Sequence, residues 1–182
     1  MNFPKETEVV IVGAGLMGCS VGYRLARAGM SVVILEMRNI ASGASGRNGG
    51  MVTQLDGRDC NKEAILNRLT YTRENNKMLP SLAEELKCDF EYEKDGGIDI
   101  ATTEEEWEYF EKKLVPFQKK VGDDEVMLLD KKETKKVCPL LSNIAQGARF
   151  RPSDGTLNPF QLNLGFAAAA ERKGAKIFTI LR

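Results

Sequence analysis

The sequence predicts an α/β fold that begins with a parallel βαβ unit and carries an α+β segment inserted in its middle. Three observations support this prediction. The chain starts with an apolar run that becomes glycine-rich at residues 13–18, and apolar residues at helical spacing follow. A second apolar run at residues 31–36 completes the βαβ unit. The chain then closes on another helix and strand at residues 158–181, after a middle section of different texture.

The first elements follow from apolar patterning. Residues 8–15, EVVIVGAG, predict a short buried strand because they are β-branched and apolar before the glycines. Leu16–Ala28 predict a helix because apolar residues recur every three or four positions, and Gly29 suits the position after its end. Ser31–Glu36 predict a second buried strand. A compact βαβ unit with a right-handed crossover is therefore expected.

The region after this unit alternates between loops, helices and strands. Arg38–Val52 is small, polar and aperiodic, which predicts an extended loop. Asn61–Leu86 predicts a long helix, and Pro80 is expected to kink or divide it. Phe90–Thr103 predicts two strands around a tight Asp-Gly-Gly turn.

The second half of the chain has well-marked helix starts. TEEE at residues 103–106 fits a capping box, and Asp130 with Glu133 is expected to cap a short lysine-rich helix. Asn158 and Pro159 are suited to the start of the last helix. A stripe of core-facing apolar residues is predicted at Trp107, Phe110, Leu114, Phe117 and Val121.

These elements predict a division into residues 1–58, residues 59–150 and residues 151–182. The first is a βαβ unit with its following loop, the second is part of an α+β lobe, and the third returns to the first lobe. A parallel sheet made only of these pieces would be small, with an unprotected edge. We therefore expect the sequence to be the N-terminal portion of a longer protein.

Composition excludes several classes of function. The chain has 26 basic and 26 acidic residues and no histidine. This balance gives no excess of positive charge that would favour binding to nucleic acid or to an anionic membrane. Histidine, the commonest metal ligand, is missing. Cys19, Cys60, Cys88 and Cys138 are far apart, which is typical of buried thiols in a reducing compartment. With no apolar signal segment or membrane span, we expect a cytoplasmic protein without a metal site.

The glycine-rich turn matches a nucleotide-binding pattern. Gly13, Gly15 and Gly18 fit G-x-G-x-x-G between a strand and a helix, as in Rossmann-like folds. Gly13 permits a tight turn, Gly15 lets the backbone approach a pyrophosphate, and Gly18 brings the helix close to the strand. The helix N-terminus offers N–H groups and a positive dipole end to phosphates. Glu36, at the end of the second strand, is suited to ribose hydroxyls and disfavours a 2′-phosphate.

FAD-binding and NAD-binding proteins share this glycine pattern, and the loop that follows it favours FAD as the cofactor. SGASGRNGG, residues 42–50, supplies many backbone N–H groups with little side-chain bulk. Such a strip can lie against a large planar ligand or a phosphate, and NAD requires no second strip of this kind. Arg47 is a candidate partner for phosphate and Asn48 for a ring edge.

The combination of these motifs with DGTLNPFQL, residues 154–162, resembles the D-amino-acid oxidase-like FAD-dependent oxidoreductases. This group contains glycine oxidase, sarcosine oxidase and the D-amino-acid dehydrogenases. The resemblance covers essentially the whole chain but only the N-terminal portion of the family's length. The family's later FAD-binding strands have no counterpart here, so we expect no independent activity from these 182 residues.

The resemblance implies which residues contact FAD. The turn would face the pyrophosphate, Glu36 and its neighbours the adenosine ribose, and the loop the pyrophosphate and flavin. The implied cofactor-binding residues are Gly13, Gly15, Leu16, Met17, Gly18, Glu36, Met37, Arg38, Ser42, Ala44, Ser45, Arg47, Asn48, Gly49, Gly50 and Met51.

The resemblance also implies oxidation of an amino acid or secondary amine by hydride transfer to flavin N5, with the cofactor carrying the difficult step. No acid–base residue is identified. Arg58, Tyr71 and Arg73 are available to hold a substrate carboxylate, but their spacing selects none of them. One alternative is an FAD-dependent glycerol-phosphate or 2-hydroxy-acid dehydrogenase. Another is a non-catalytic piece or subunit whose site is completed by the C-terminal part or by a partner chain.

Overall fold

The structure is a computed structural model that describes residues 3–55, 57–58 and 60–180. Its strands are β1 Val9–Val12, β2 Val32–Leu35, β3 Met51–Val52, β4 Gly97–Ala101, β5 Met127–Asp130, β6 Gly147–Arg151, β7 Gly155–Thr156 and β8 Lys176–Phe178. Its α-helices are α1 Leu16–Arg27, α2 Lys62–Leu86, α3 Glu104–Tyr109, α4 Val115–Lys120, α5 Lys131–Val137 and α6 Pro159–Arg172. A 3₁₀ turn covers Ala44–Gly46, and a π-helical stretch, Phe110–Leu114, joins α3 to α4.

The chain forms two compact units. Unit 1 comprises Met1–Met51, Leu79–Tyr92 and Leu157–Arg182, and unit 2 comprises Val52–Met78 and Glu93–Thr156. The division at residues 1–58, 59–150 and 151–182 stays a prediction. The units differ from it mainly because Leu79–Tyr92 belongs to unit 1.

Unit 1 contains a parallel sheet in the order β1-β2-β8. Val9 of β1 pairs with Val32 of β2, and Ile34 of β2 pairs with Ile177 of β8. The central strand β2 is fully apolar and its first three residues are buried. The buried apolar strand predicted at β2 is therefore present, whereas the predicted burial of β1 is wrong in this structure, because its Val10 and Val12 are exposed. The α/β fold class and the opening βαβ unit are therefore confirmed.

Two helices of unit 1 pack together beside this sheet. Gly22 in α1 has no room for a side chain, because a Cβ there would lie 2.7 Å from Cδ1 of Ile34. The rings of Tyr23 in α1 and Phe166 in α6 lie 6.1 Å apart. The Asn158 side chain accepts a 3.1 Å hydrogen bond from Gln161 N and caps α6 as predicted. Gly29 follows α1 with φ +91°, which confirms the predicted helix end.

Unit 2 contains an antiparallel sheet in the order β4-β6-β5. The predicted apolar stripe contributes to two clusters: Phe110 and Leu114 pack with Ala101, and Val121 packs with Leu55, Ile65 and Leu69. Trp107 and Phe117 lie at the edges of these clusters and are partly buried. Asp130 and Glu133 form the predicted capping box at the start of α5. The stripe and this cap are therefore confirmed.

One local prediction is wrong, and a second is decided only in part. Phe90–Thr103 does not form a hairpin, because β4 pairs with β6 and Glu93 makes only an isolated bridge to Thr156. Glu91 has φ +55°, which breaks the extended run before Glu93. Pro80 does not divide α2, which continues from Lys62 to Leu86, and the alternative of a kink there stays a prediction. The buried Leu79, Leu82 and Leu86 anchor the last turns of this helix within unit 1.

Within the described residues, every helix is too short or too polar to traverse a lipid bilayer.

Candidate cofactor-binding site

The turn between β1 and α1 is built as tightly as its glycines require. Gly13 has φ +102°, a conformation that residues with a side chain rarely adopt, and its N–H donates to Leu35 O at 2.7 Å. A Cβ on Gly18 would lie 2.0 Å from Gly13 O. The first turn of α1 therefore lies directly against the end of β1, and two of the three glycines are required by backbone geometry alone.

Gly15 is different, because its surroundings are nearly open. A Cβ built on Gly15 would approach Ser45 alone among the described residues, with Oγ at 2.9 Å. The Ser45 hydroxyl accepts a 2.9 Å hydrogen bond from Leu16 N at the start of α1. A hydroxyl that accepts one hydrogen bond can still donate its own proton. Ser45 therefore extends the positive end of α1 with a further donor.

Glu36 is held against the same turn. Its carboxylate accepts hydrogen bonds from Ala14 N at 2.9 Å and from Arg38 N at 2.7 Å. These two backbone hydrogen bonds, the one from Ala14 first, hold the pKa of the Glu36 carboxyl below its usual value of 4.5. A carboxylate offers about four lone-pair positions, so Glu36 retains capacity for further donors such as hydroxyls.

The loop that follows β2 is organised by its own side chains. The Asn48 amide donates to Ala44 O at 3.0 Å and to Ser45 O at 3.1 Å, and its oxygen accepts from Gly50 N at 2.9 Å. In this structure the Asn48 side chain therefore shapes the loop rather than presenting free polar atoms to a ring edge. Gly50 has φ +68°, and a Cβ there would lie 1.9 Å from Leu157 O, so this position also requires glycine.

The remaining predicted site residues differ in exposure. Ser42 is partly buried, and its hydroxyl oxygen is buried without a hydrogen-bond partner among the described residues. The exposed members are Met17, Met37, Arg38, Ala44, Arg47, Asn48, Gly49 and Met51. All the predicted cofactor-binding residues belong to unit 1, and the turn, Glu36 and Ser45 are brought into direct contact.

Sequence reasoning missed two residues that hold the turn. Ala14 O accepts hydrogen bonds from Asn163 Nδ2 in α6 and from Ala41 N, both at 3.1 Å. Ala41 adopts φ +60°, which is uncommon for a residue with a side chain. Nothing in the local sequence around residue 163 signals a polar contact to residue 14. The one sign in the sequence is that an asparagine interrupts an apolar stretch of α6, and the structure shows that this asparagine is buried.

The three candidates for a substrate carboxylate lie in unit 2 and are not brought together as a site. Arg58 forms ion pairs with Asp99 at 3.1 Å and with Glu106 at 2.6 Å. Arg73 donates to Gly122 O, and Tyr71 is 78% exposed. The geometry of unit 2 therefore selects none of the three.

The turn fits a cofactor that carries a diphosphate. Gly15 carries no side chain, a small hydroxyl from Ser45 lies near it, and the N-terminus of α1 is positive. Ser42 supplies a buried hydroxyl that lacks a partner among the described residues. These observations meet the chemical needs of a dinucleotide such as FAD. Within the described part of the chain, the side chain that lies near Gly15 ends in a small hydroxyl and does not fill the turn with apolar atoms.

Comparisons with known proteins give the family of the chain. The family model "FAD dependent oxidoreductase" (DAO) matches residues 8–180. Human mitochondrial sarcosine dehydrogenase is 31% identical over 177 residues, and the chain covers 18% of its length. An anaerobic glycerol-3-phosphate dehydrogenase subunit A1 of Haloferax volcanii is 29% identical over 180 residues.

Glycine oxidase of Geobacillus kaustophilus is similar in both sequence and structure. Its sequence is 31% identical over 176 residues. Its crystal structure superposes with a TM-score of 0.86 over 96% of this chain and 46% of the solved chain. The chain therefore spans less than half the length of this relative. The family model matches nearly the whole chain, and FAD is the cofactor of that family. The chain therefore belongs to the FAD dependent oxidoreductase (DAO) family, as its motifs predicted.

Proposed function

We propose that the protein oxidises an amino acid or a secondary amine, with FAD as the hydride acceptor. The observation that carries this proposal is the glycine turn of residues 13–18 at the N-terminus of α1, where only the Ser45 side chain approaches Gly15 among the described residues, in a chain of an FAD-dependent family. No histidine is present in the chain to act as a general base. Chemistry that depends chiefly on a bound cofactor and on positioning suits such a composition.

Backbone N–H groups and one hydroxyl would hold the diphosphate. Gly13 and Gly18 set the turn, and the N–H groups of Gly15, Leu16 and Met17 begin α1 beside it. Ser45 accepts from Leu16 N and would donate its proton to a phosphate oxygen. Main-chain donors at a helix N-terminus bind anions without requiring a cationic side chain.

Glu36 would accept hydrogen bonds from the adenosine ribose. Its carboxylate is already fixed by Ala14 N and Arg38 N, so little conformational freedom is lost when hydroxyls bind. Met37 and Arg38 follow it on the surface and would flank the adenosine.

The loop of residues 42–51 would lie along the pyrophosphate and flavin. Ser42, Ala44, Gly49 and Gly50 offer small side chains or none, and Arg47 is exposed and positively charged. Asn48 keeps the loop in shape through its three internal hydrogen bonds. Met51 ends the loop with an exposed apolar side chain.

The substrate class rests on the relatives. The names of the human sarcosine dehydrogenase and the Geobacillus glycine oxidase specify small amines that carry a carboxylate. When bound, FAD supplies the acceptor for the two electrons lost from the carbon that bears the amine. The protein's part is to bind the cofactor, orient it and exclude competing water.

A second candidate is oxidation of glycerol phosphate on the same scaffold. The Haloferax glycerol-3-phosphate dehydrogenase subunit is 29% identical, close to the values for the amine oxidising relatives. A third candidate is a subunit whose site is completed by further chain or by a partner. The partial coverage of the relatives supports this candidate. We also propose a cytoplasmic location, where the four free cysteines would remain reduced.

The test is flavin binding followed by anaerobic reduction. The purified protein is mixed with FAD and freed of unbound cofactor, and we expect it to keep a flavin absorption band. Under nitrogen, we expect glycine or sarcosine to bleach this band in a protein that also supplies the family's later FAD-binding strands, and not in these 182 residues alone. Bleaching by glycerol 3-phosphate alone would establish the second candidate. A colourless protein would favour the third and contradict FAD binding by these residues alone.

A further inference from the structure

We infer that Asn163 is a positioning residue for the diphosphate site, acting through the backbone of Ala14. This inference rests on the proposed function, because it concerns the same turn. Asn163 lies in α6, and its side chain is completely buried, as is Ala14. Its amide nitrogen donates to Ala14 O at 3.1 Å and lies 3.7 Å from Cys19 Sγ.

The peptide group after Ala14 is fixed from the buried side. Ala14 O accepts from Asn163 Nδ2 and from Ala41 N, so it faces the protein interior. In a planar trans peptide the N–H points opposite to the C=O of the same group. Holding Ala14 O inward therefore turns the N–H of Gly15 outward, away from α6. Gly15 N–H is one of the donors expected to face the diphosphate.

The neighbouring peptide is fixed by a different side chain. Ala14 N donates to Glu36 Oε2 at 2.9 Å. Both polar groups of Ala14 are thus engaged by side chains from distant parts of unit 1, α6 on one side and the end of β2 on the other. A turn held in this way meets an anion without first reorganising, which is the advantage of preorganised donors.

Burying the Asn163 side chain costs free energy, and the hydrogen bond that its amide donates to Ala14 O explains why it is buried nevertheless. Its Oδ1 is buried without a hydrogen-bond partner among the described residues. An unpaired buried polar atom is unfavourable, and leucine would fill a similar volume without one. The opposite amide orientation would place Oδ1 against Ala14 O, so only the donating orientation is compatible with the turn. The donor to Ala14 therefore explains why a polar residue occupies this apolar position.

The test compares ligands with and without a diphosphate in the purified protein. ADP carries the diphosphate and adenosine does not, and binding of each is measured by calorimetry for the wild type and N163L. We expect N163L to bind ADP about tenfold more weakly, the loss of one well-aligned hydrogen-bond donor, and adenosine within about twofold of the wild type. FAD affinity should fall together with ADP affinity.

F166L serves as the matched control, because Phe166 is a buried neighbour on α6 whose ring packs near that of Tyr23 and which has no polar side-chain atom to donate to Ala14 O. It should lower the melting temperature while keeping the ratio of ADP to adenosine affinity. Should N163L fail to fold, N163S gives the same comparison, because its hydroxyl is too short to reach Ala14 O.

Two results would overturn the inference while the proposed function stands: unchanged ADP affinity in N163L, or equal weakening of ADP and adenosine. A wild-type protein that binds neither FAD nor ADP would instead overturn the proposed function, and the inference with it.

Discussion

At the residue scale, Glu36 is the side chain that links the end of β2 to the glycine turn. If it also receives ribose hydroxyls, E36A should weaken FAD binding by about 1–3 kcal/mol, the usual effect of losing hydrogen bonds to a charged group. Titration of flavin fluorescence measures the change. E8A is a matched control, since Glu8 also accepts a backbone N–H, from Ser31 at 2.7 Å, but lies at the other end of β1. Equal FAD affinity in E36A and the wild type would reject the ribose role.

The same carboxylate predicts a pH dependence of stability. Because the hydrogen bonds from Ala14 and Arg38 lower the pKa of Glu36 in the folded state, its ionised form favours folding. This contribution is present above the ordinary pKa of 4.5 and is lost as the pH falls through the lowered value. E36Q should therefore be less stable than the wild type at pH 7, and the difference should shrink in acid. Urea unfolding at several pH values measures it, and a difference independent of pH would contradict the prediction.

At the element scale, the glycines of the turn between β1 and α1 have different roles. Gly18 is required for folding, whereas Gly15 is expected to face the ligand. A Cβ on Gly18 would meet the backbone at Gly13 O, which cannot move without parting α1 from β1. G18A should therefore destabilise the protein by more than about 1–3 kcal/mol, the range for ordinary overpacking. Among the described residues, a Cβ on Gly15 would approach Ser45, whose hydroxyl would have to turn away and give up its hydrogen bond from Leu16 N.

G15A should therefore lower the stability by about 1 kcal/mol, the usual contribution of one hydrogen bond and less than the cost of G18A. Its FAD affinity should also fall, because the added methyl group occupies space that the diphosphate needs. Thermal unfolding without ligand and FAD titration distinguish the two variants. Undiminished flavin content in G15A would show that the diphosphate does not approach this turn.

At the scale of the whole molecule, unit 2 depends on a buried ion-pair cluster. Arg151 pairs with Asp123 and with Asp154, the latter at 3.1 Å, and all three side chains are at least 95% buried. R151M should lower the free energy of unfolding by about 3–5 kcal/mol, because two carboxylates would remain buried without their partner. The loss should be smaller in acid, where protonation removes those charges, and burial already raises the pKa of Asp154.

The control for R151M is an exposed pair. Lys77 contacts Glu74 at 2.7 Å on the surface of α2, and K77M should change stability by less than about 1 kcal/mol. Chemical denaturation followed by circular dichroism measures both variants. Equal effects of R151M and K77M would show that the buried cluster contributes no more than a surface pair.

The sequence by itself determined the elements whose causes are local. The apolar runs of β1 and β2, the spacing of α1 and the caps at Asp130 and Asn158 depend on neighbouring residues, so their patterns were sufficient. The glycine turn belongs to the same class, because Gly13 and Gly18 are required by backbone geometry within six positions. Membership of the FAD-dependent family followed from these motifs.

Only the tertiary structure decided which distant groups meet. The partner of β4 is β6, about 50 residues further along the chain, and not the adjacent residues 90–94. A local pattern can indicate a strand but does not specify a partner at such a separation. Asn48 shapes its own loop and Glu36 holds Ala14 N, two contacts that the sequence did not indicate, while the ligand contacts expected of both residues stay predictions. The contact between Asn163 and Ala14 joins positions 149 residues apart, and no local periodicity encodes it. Hydrogen-bond partners at such separations are fixed by packing. The turn can therefore be recognised from the sequence, whereas the distant side chains that orient its backbone groups cannot.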